Sequence, residues 1–309
     1  MKKIYNYLSP GCAIAFNNNL ATKEEDFDYL LQPPKEYSLT SYERKLASQL
    51  TNYKPNDILF FLNTCTGIEI EIEGIKKVDK TENFLDYWVT TEDGSLRNNG
   101  REFITRKGFR VHEFKDAYIA FKTGVLDVNL THDFSERCSI HIHVDIRTFT
   151  EQQLANLVAC YIIFEKGLFS FCTEQRQKNI FCIPILDTIF PTEFTNAFDM
   201  CARWDKYTAL NIKPAFSLGT VEFRHLHGTG SYFELLTWLF ICTALVNFCK
   251  NNTSKSIIKQ IQLLKYQSQY EAFIFSCFGE LGRVLTWDYE QMDEAASCAK
   301  FILPKLGEF

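Results

Sequence analysis

Gly67-Ile68-Glu69-Ile70-Glu71-Ile72-Glu73-Gly74 alternates carboxylate and branched aliphatic side chains without a break. Successive side chains of a β-strand leave on opposite faces. Glu69, Glu71 and Glu73 therefore line one side of a strand, and Ile68, Ile70 and Ile72 the other. Neighbouring carboxylates on such a face are about 7 Å apart, twice the strand rise. Unpaired and partly buried, they repel one another and resist ionising. Oxygen-rich acidic sites of this kind suit Mg²⁺ or Mn²⁺. The strand is therefore read as a metal platform on one face of a sheet.

The surrounding sequence predicts strands over 58–62, 68–72, 87–90, 101–105, 117–121 and 139–146, separated by Gly, Asn and Asp turns. Helices follow. Thr150 with Gln153 makes a capping box and Phe149 with Leu154 a hydrophobic staple; Leu154, Leu157, Val158, Tyr161 and Ile162 then recur at helical spacing. The chain returns to strand over 219–227. Ser231 with Glu234 opens a second, apolar helix through Phe248, and two or three more helices fill 254–301. Strands followed by helices, without βαβ alternation, predict an α+β fold with an antiparallel sheet. Residues 1–57, punctuated by Pro33-Pro34 and with one short helix over 41–50, form an N-terminal extension to which no chemistry is assigned. Residues 58–309 form the main domain.

An apolar share of 46% with 28 Phe supplies a large core and excludes a disordered chain. The net charge of −5, with no basic run longer than a pair, leaves no footprint for direct nucleic-acid binding. The 11 cysteines include no Cys-x-x-Cys pair and fall mostly in apolar runs, which predicts reduced, buried thiols in a cytoplasmic protein. No apolar signal core follows Met1-Lys2-Lys3. The most apolar stretch, 235–249, is too short to span a bilayer and reads as a buried helix, so no membrane partner is expected.

Three further segments carry polar faces. Asp93-Gly94-Ser95-Leu96-Arg97 turns tightly into Gly100-Arg101-Glu102-Phe103-Ile104-Thr105, where Glu102 and Ile104 oppose Arg101 and Phe103. In Cys138-Ser139-Ile140-His141-Ile142-His143-Val144-Asp145, the residues His141, His143 and Asp145 oppose the aliphatic set. In Gly219-Thr220-Val221-Glu222-Phe223-Arg224, Glu222 and Arg224 share a face, with His225 and His227 opposite. Each alone has a plain structural reading: a satisfied surface histidine pair, a cross-strand ion pair, a solvated sheet face. Converging on one sheet, they bring together carboxylates, two imidazoles and a guanidinium. That is the equipment of a nucleotide-dependent transfer, with carboxylates for divalent ions and arginine for developing phosphate charge.

In order, Gly-x-Glu-x-Glu at 67–71, Asp-Gly-Ser-Leu at 93–96 with Gly-x-Glu-Phe at 100–103, His-x-His-Val at 141–144 and Thr-Val-Glu-Phe-Arg at 220–224 resemble the amidoligases of the glutamine synthetase and glutamate–cysteine ligase superfamily. The resemblance runs over about residues 63–231, with Phe164-Glu165, Arg176 and Lys206-Tyr207-Thr208-Ala209-Leu210-Asn211 in agreement. It implies a glutamine synthetase-like antiparallel catalytic sheet with packed helices, holding ATP and two or more Mg²⁺ or Mn²⁺ ions. It further implies an ATP-dependent carboxylate–amine ligase. ATP phosphorylates a substrate carboxylate, and an amine attacks the acyl phosphate to give an amide or peptide-like bond.

By position, Glu69, Glu71, Glu102, His141 and Glu222 match metal ligands. Arg224, Glu222 and His143 match the catalytic set, and Arg203, Lys206, Asn211 and Arg224 the nucleotide side. Lys206 stands where such proteins more often carry Arg; Arg203 either supplies the missing fork or makes an ordinary surface ion pair. Ile140 precedes His141 where a small residue is common. The partners implied are a small-molecule or peptide carboxylate, an amine donor, and an enzyme of the same modification pathway; ring oligomers occur in the superfamily. A phosphotransferase or metal-dependent hydrolase would use the same residues, and a non-catalytic accessory protein could keep them. Glu73 is as readily solvated as functional, Glu165 and Arg176 are read as a supporting ion pair, and Gly228-Thr229-Gly230 as an anion loop or a simple turn.

Overall fold

The computed structural model describes residues 64–188, 194 and 196–306, with Lys45 alone before them; for 302–306 it describes the backbone. The expected strand at 58–62 and, Lys45 apart, the helix at 41–50 lie outside the described residues.

An open antiparallel sheet forms the frame. Its strands are β1 (Cys65–Ile72), β2 (Trp88–Thr91), β3 (Arg101–Thr105), β4 (Phe109–Arg110), β5 (Ser139–Asp145), β6 (Leu210–Asn211) and β7 (Thr220–His227). They run in the order β2-β3-β1-β5-β7-β6, with β4 pairing the start of β1. The acidic strand is thus central. β1 pairs with β3 through Glu71↔Glu102 and with β5 through Glu69↔His141. Ile68, Ile70 and Ile72 are fully buried on the opposite face, as the alternation requires. Past Ile72, Gly74 takes a φ of +75°, and a Cβ there would meet the Thr131 carbonyl at 2.7 Å, so this bend requires glycine.

The helices are α1 (Glu82–Tyr87), α2 (Phe114–Phe121), α3 (Glu151–Phe169), α4 (Glu174–Gln177), α5 (Ala197–Arg203), α6 (Tyr232–Asn251), α7 (Ser254–Leu263), α8 (Gln267–Phe278) and α9 (Tyr289–Leu306). The architecture is α+β, with strands leading and helices closing the chain. α3 opens on the expected capping box, closed by both bonds: Gln153 N–H to Thr150 Oγ1 at 3.2 Å and Thr150 N–H to Gln153 Oε1 at 2.8 Å. At α6 the box is half-made. Ser231 caps Glu234 N–H, while the Glu234 carboxylate accepts from the Thr229 hydroxyl instead. Thr229 also accepts Ser231 N–H, so Gly228-Thr229-Gly230 is a turn closed on itself.

α3 and α6 are buried along most of their length in the core that backs the isoleucine face. α6 is long and apolar enough to cross a membrane, but 83% of its most apolar window is buried inside the protein. Of the ten described cysteines nine are buried and none is in a disulfide.

One expected strand is a helix. Residues 117–121 belong to α2, where Phe114, Ala117 and Phe121 are buried at spacings of three and four and Ile119 is 42% exposed. Over five residues the alternation Ala117, Ile119, Phe121 imitates a strand; the longer window from Phe114 shows the helical period. Phe121 packs tilted against Trp88 and edge-to-face with Phe103, at centroid distances of 5.3 and 5.4 Å. Phe121→Ala is expected to destabilise the protein by about 3–5 kcal/mol, as large-to-small core changes do. Ile119→Ala should cost about 0.5 kcal/mol, the usual surface effect. Urea unfolding of both variants checks this, and equal losses would return the segment to a one-faced strand. The structure also adds α1, capped by Thr81, which accepts Phe84 N–H at 3.2 Å and delays the next strand to Trp88.

Candidate metal centre

The ladder stacks the polar motifs side by side. From β3 to β6 the face presents Glu102, then Glu69 and Glu71, then His141 and His143, then Glu222 and Arg224, then Asn211. It is not a solvated sheet face. Glu71, His141, His143, Asn211 and Glu222 are all buried, and Glu69 and Glu102 partly so. Burying this many charges without partners costs several kcal/mol each, so the partners define the site.

Glu69 lies at the centre. Its Oε2 accepts from His141 Nδ1 at 2.9 Å and its Oε1 lies 3.2 Å from His143 Nε2. Burial alone pushes its carboxyl up, but the bonds and charges of His141 and His143 prevail and hold it well below the usual carboxylate range. His143 answers in kind: burial pulls its pKa down, and Glu69 with Glu222 raises it above the ordinary value. His143 Nδ1 meets the Thr220 hydroxyl at 3.0 Å. Glu71 Oε2 accepts Ser139 N–H at 2.7 Å and the Ser139 hydroxyl at 2.6 Å, and that hydroxyl oxygen lies 2.9 Å from His141 Nε2. Glu222 is held by Asn211 Nδ2 at 2.6 Å and by the Arg224 guanidinium, and its Oε1 lies 3.4 Å from His141 Nδ1.

At the β3 end the balance changes. Glu102 has Thr91 Oγ1 at 3.3 Å and no cationic side chain among its bonds. Burial, then the charges of Glu69, Glu71 and Asp93, raise it to about 7, with His141 opposing. Among the described residues, no Lys or Arg pairs with Glu102.

Three groups of ligand atoms lie within 4.8 Å of one another: Asp93, Glu71 and Glu102; Glu102, Glu69 and His141; Glu69, His143 and Glu222. Such spacing spans opposite ligands of one divalent ion, whose bonds to oxygen are about 2.0–2.6 Å. The groups adjoin, sharing Glu102 and Glu69, so together they form a row across the sheet. The donor chemistry, hard carboxylate oxygens with imidazole, fits Mg²⁺ or Mn²⁺.

Several expected positions fall elsewhere. Asp145 follows the alternation, but its carboxylate takes Arg147 in a fork at 2.7 and 2.8 Å. Arg203 is exposed and pairs with Asp199 at 2.8 Å, the surface ion pair that was its plain alternative. Lys206 is exposed, with its ammonium 4.8 Å from the Tyr207 ring centre. Glu73 is not solvated: it is 3% exposed and accepts Arg97 N–H at 2.6 Å.

Glu165 and Arg176 do not pair. Glu165 bonds the Tyr161 hydroxyl and Ile185 N–H, both at 2.7 Å, and burial raises it to about 8. Arg176 donates instead to the carbonyls of Arg224 at 2.6 Å and His225 at 3.2 Å.

Those two residues form a β-bulge. Ile142 pairs with Phe223 and Ile140 with Leu226, so His141 alone opposes Arg224 and His225 together. The extra residue shifts the alternation. Leu226 falls on the core side with Ile140, and His227, opposite Ser139, falls on the acidic side, contrary to the strict period. His225 stays in the core, bonded to Tyr161 at 2.7 Å, where burial and Arg176 lower it to about 3.

Asp93, Ser139 and Thr220 join the site although the motif reading did not single them out as such. Ser139 and Thr220 carry a legible signal, each lying two residues before a site residue on its own strand. Asp93 sits in a turn, where spacing says nothing of direction. Compared with models of known protein families and with curated proteins, the chain finds no match.

Proposed function

We propose that the protein is an ATP- and divalent-metal-dependent carboxylate–amine ligase with a glutamine synthetase-like catalytic sheet. One observation carries the reading: three adjoining groups of metal-ligating atoms, joined through Glu69 and Glu102, lie across one largely buried sheet face, beside an arginine. The order of the motifs along the chain supports it, as does their meeting on a single antiparallel sheet.

Asp93, Glu71, Glu102, Glu69, His141, His143 and Glu222 would hold the ions. Divalent ions bound there neutralise phosphate charge and orient the transferring group. The chain's own residues do the rest. Glu222 and the Phe181 carbonyl, at 3.2 Å from Nε, hold the Arg224 guanidinium next to the ligand row, where a fixed positive charge stabilises phosphoryl oxygens as their charge builds. Asn211 fixes the second Glu222 oxygen, and Ser139 and Thr220 hold Glu71 and His143 in place. His143, buried between Glu69 and Thr220, lines the substrate or nucleotide side.

The substrates are a carboxylate on a small molecule or peptide and an amine. ADP release from Mg²⁺-ATP, screened over acid and amine pairs, is expected only when both are present. Release with an acid alone would favour a phosphotransferase or hydrolase, and binding without turnover an accessory protein.

A further inference from the structure

We propose that a groove between α8 and the start of α9 binds a small organic ammonium ion, one that carries an apolar body on its charged nitrogen. The site is separate from the metal-ligand row and goes beyond the ligase reading.

A cavity of about 610 Å³ opens there, lined in part by Glu271, Phe275, Glu280, Arg283, Trp287 and Tyr289. None of its lining residues belongs to the ligand row. The row lies on the acidic face of the sheet, whereas Trp287 rests on Gly167 of α3, in the core that backs the opposite face. The aromatic wall is fixed by that core. A Cβ on Gly167 would meet the Trp287 ring at 2.1 Å, so the indole lies against bare backbone. Phe164 and Phe278 flank it at ring-centre distances of 5.8 and 5.9 Å, and its Nε1 donates to the Gly282 carbonyl at 2.8 Å. The Tyr289 ring stands 6.5 Å from that of Tyr270, a buried residue of α8. Glu271 and Phe275, one turn apart, share the exposed face of α8. Rings already held in place lose little freedom when a ligand arrives.

Charge selects the ligand. From the α8 N-cap at Tyr266 to Glu294 the chain carries six carboxylates and one cation, Arg283. The whole chain has 38 acidic and 33 basic residues, so its entire negative excess falls in this stretch. Arg283 is exposed and answers Glu280 at 2.8 Å. Glu271 pairs with no cation among the described residues. It accepts from Gln267 Nε2 at 2.8 Å and has the Tyr289 hydroxyl at 3.5 Å. Aromatic faces attract a cation, and a carboxylate beside them supplies its counter-charge. An anion would be repelled here. A bare divalent ion takes six or more oxygens and makes no use of the rings. The volume is that of a small-molecule pocket.

The test is calorimetry on the full chain at neutral pH. Choline is compared with neohexanol and phenethylammonium with phenethyl alcohol, each a cation against a neutral molecule of similar shape. At least one cation is expected to bind with a Kd below about 1 mM and about tenfold more tightly than its neutral match. Glu271→Gln should weaken it by about fivefold or more. Arg283→Ala, which frees Glu280, should tighten it by about twofold. Glu271 and Arg283 are both exposed, so neither change should affect folding. Of the four tryptophans Trp287 alone is not fully buried, so a change in tryptophan emission on titration places the ligand in the groove.

The site is overturned if neither cation binds, if the neutral molecules bind equally well, or if Glu271→Gln leaves the affinity unchanged. Tetralysine binding more tightly than either small cation would also overturn it, by assigning the groove to a basic segment of a partner protein.

Discussion

Glu69→Gln is expected to lower the affinity for Mg²⁺-ATP by at least about a hundredfold and to abolish turnover, since outer-shell changes alone cost 10–100-fold at metal sites. The size follows from position. Glu69 belongs to two of the three ligand groups and is the carboxylate that both histidines of β5 contact, at 2.9 and 3.2 Å. An amide keeps the volume and one acceptor oxygen but loses the charge that would hold two ions together. It also leaves His143, whose raised pKa depends on Glu69, with less reason to be protonated. The same substitution should therefore change the metal-free protein as well. Near-ultraviolet dichroism with and without Mg²⁺ separates a folded but metal-blind protein from a damaged one. Calorimetric titration of Mg²⁺-ATP gives the decisive number. Affinity within about threefold of wild type, a difference of well under 1 kcal/mol, would sink the metal assignment.

The site was legible wherever the sheet keeps its period of two. Glu69 and Glu71, His141 and His143, and Glu222 stand on the face their alternation predicts, and the antiparallel ladder then places them opposite one another. The reading failed where the period changes or does not apply. The bulge at Arg224–His225 is invisible to alternation, so His227 was assigned to the wrong face. α2 was misread because five residues are too few to separate a period of 2 from one of 3.6. Asp93 lies in a turn, where local spacing does not set side-chain direction; its carboxylate accepts Ser95 N–H at 2.7 Å. Glu165 and Arg176 were joined by charge alone. In the structure burial raises Glu165 to about 8, and Arg176 serves backbone instead.

That backbone role gives Arg176→Ala an expected loss of stability of about 3–5 kcal/mol. β6 pairs with β7 at Leu210 and Asn211, opposite Phe223 and Glu222, and the bulge begins at the next residue, where Arg224 N–H still reaches the Ala209 carbonyl at 2.9 Å. A bulge leaves ladder groups without their regular partners. Here the Arg176 guanidinium, on a side chain only 2% exposed, meets both bulge carbonyls. Alanine would leave two buried carbonyls unmet, each costing about 1–3 kcal/mol, together with a void. Lysine cannot reach two divergent acceptors with one rigid fork and should recover only part of the loss.

Urea unfolding measures the effect. A change below about 1 kcal/mol would mean that the carbonyls find other partners and that Arg176 is dispensable. The consequence for chemistry runs through Arg224, whose carbonyl Arg176 holds and whose guanidinium is aimed by Glu222 and Phe181. If the bulge relaxes, that charge moves off the ligand row while the ligands on β1, β3 and β5 stay in place. Arg176→Ala should then retain metal-dependent nucleotide binding yet lose turnover, a pattern that distinguishes a misplaced arginine from a broken metal centre.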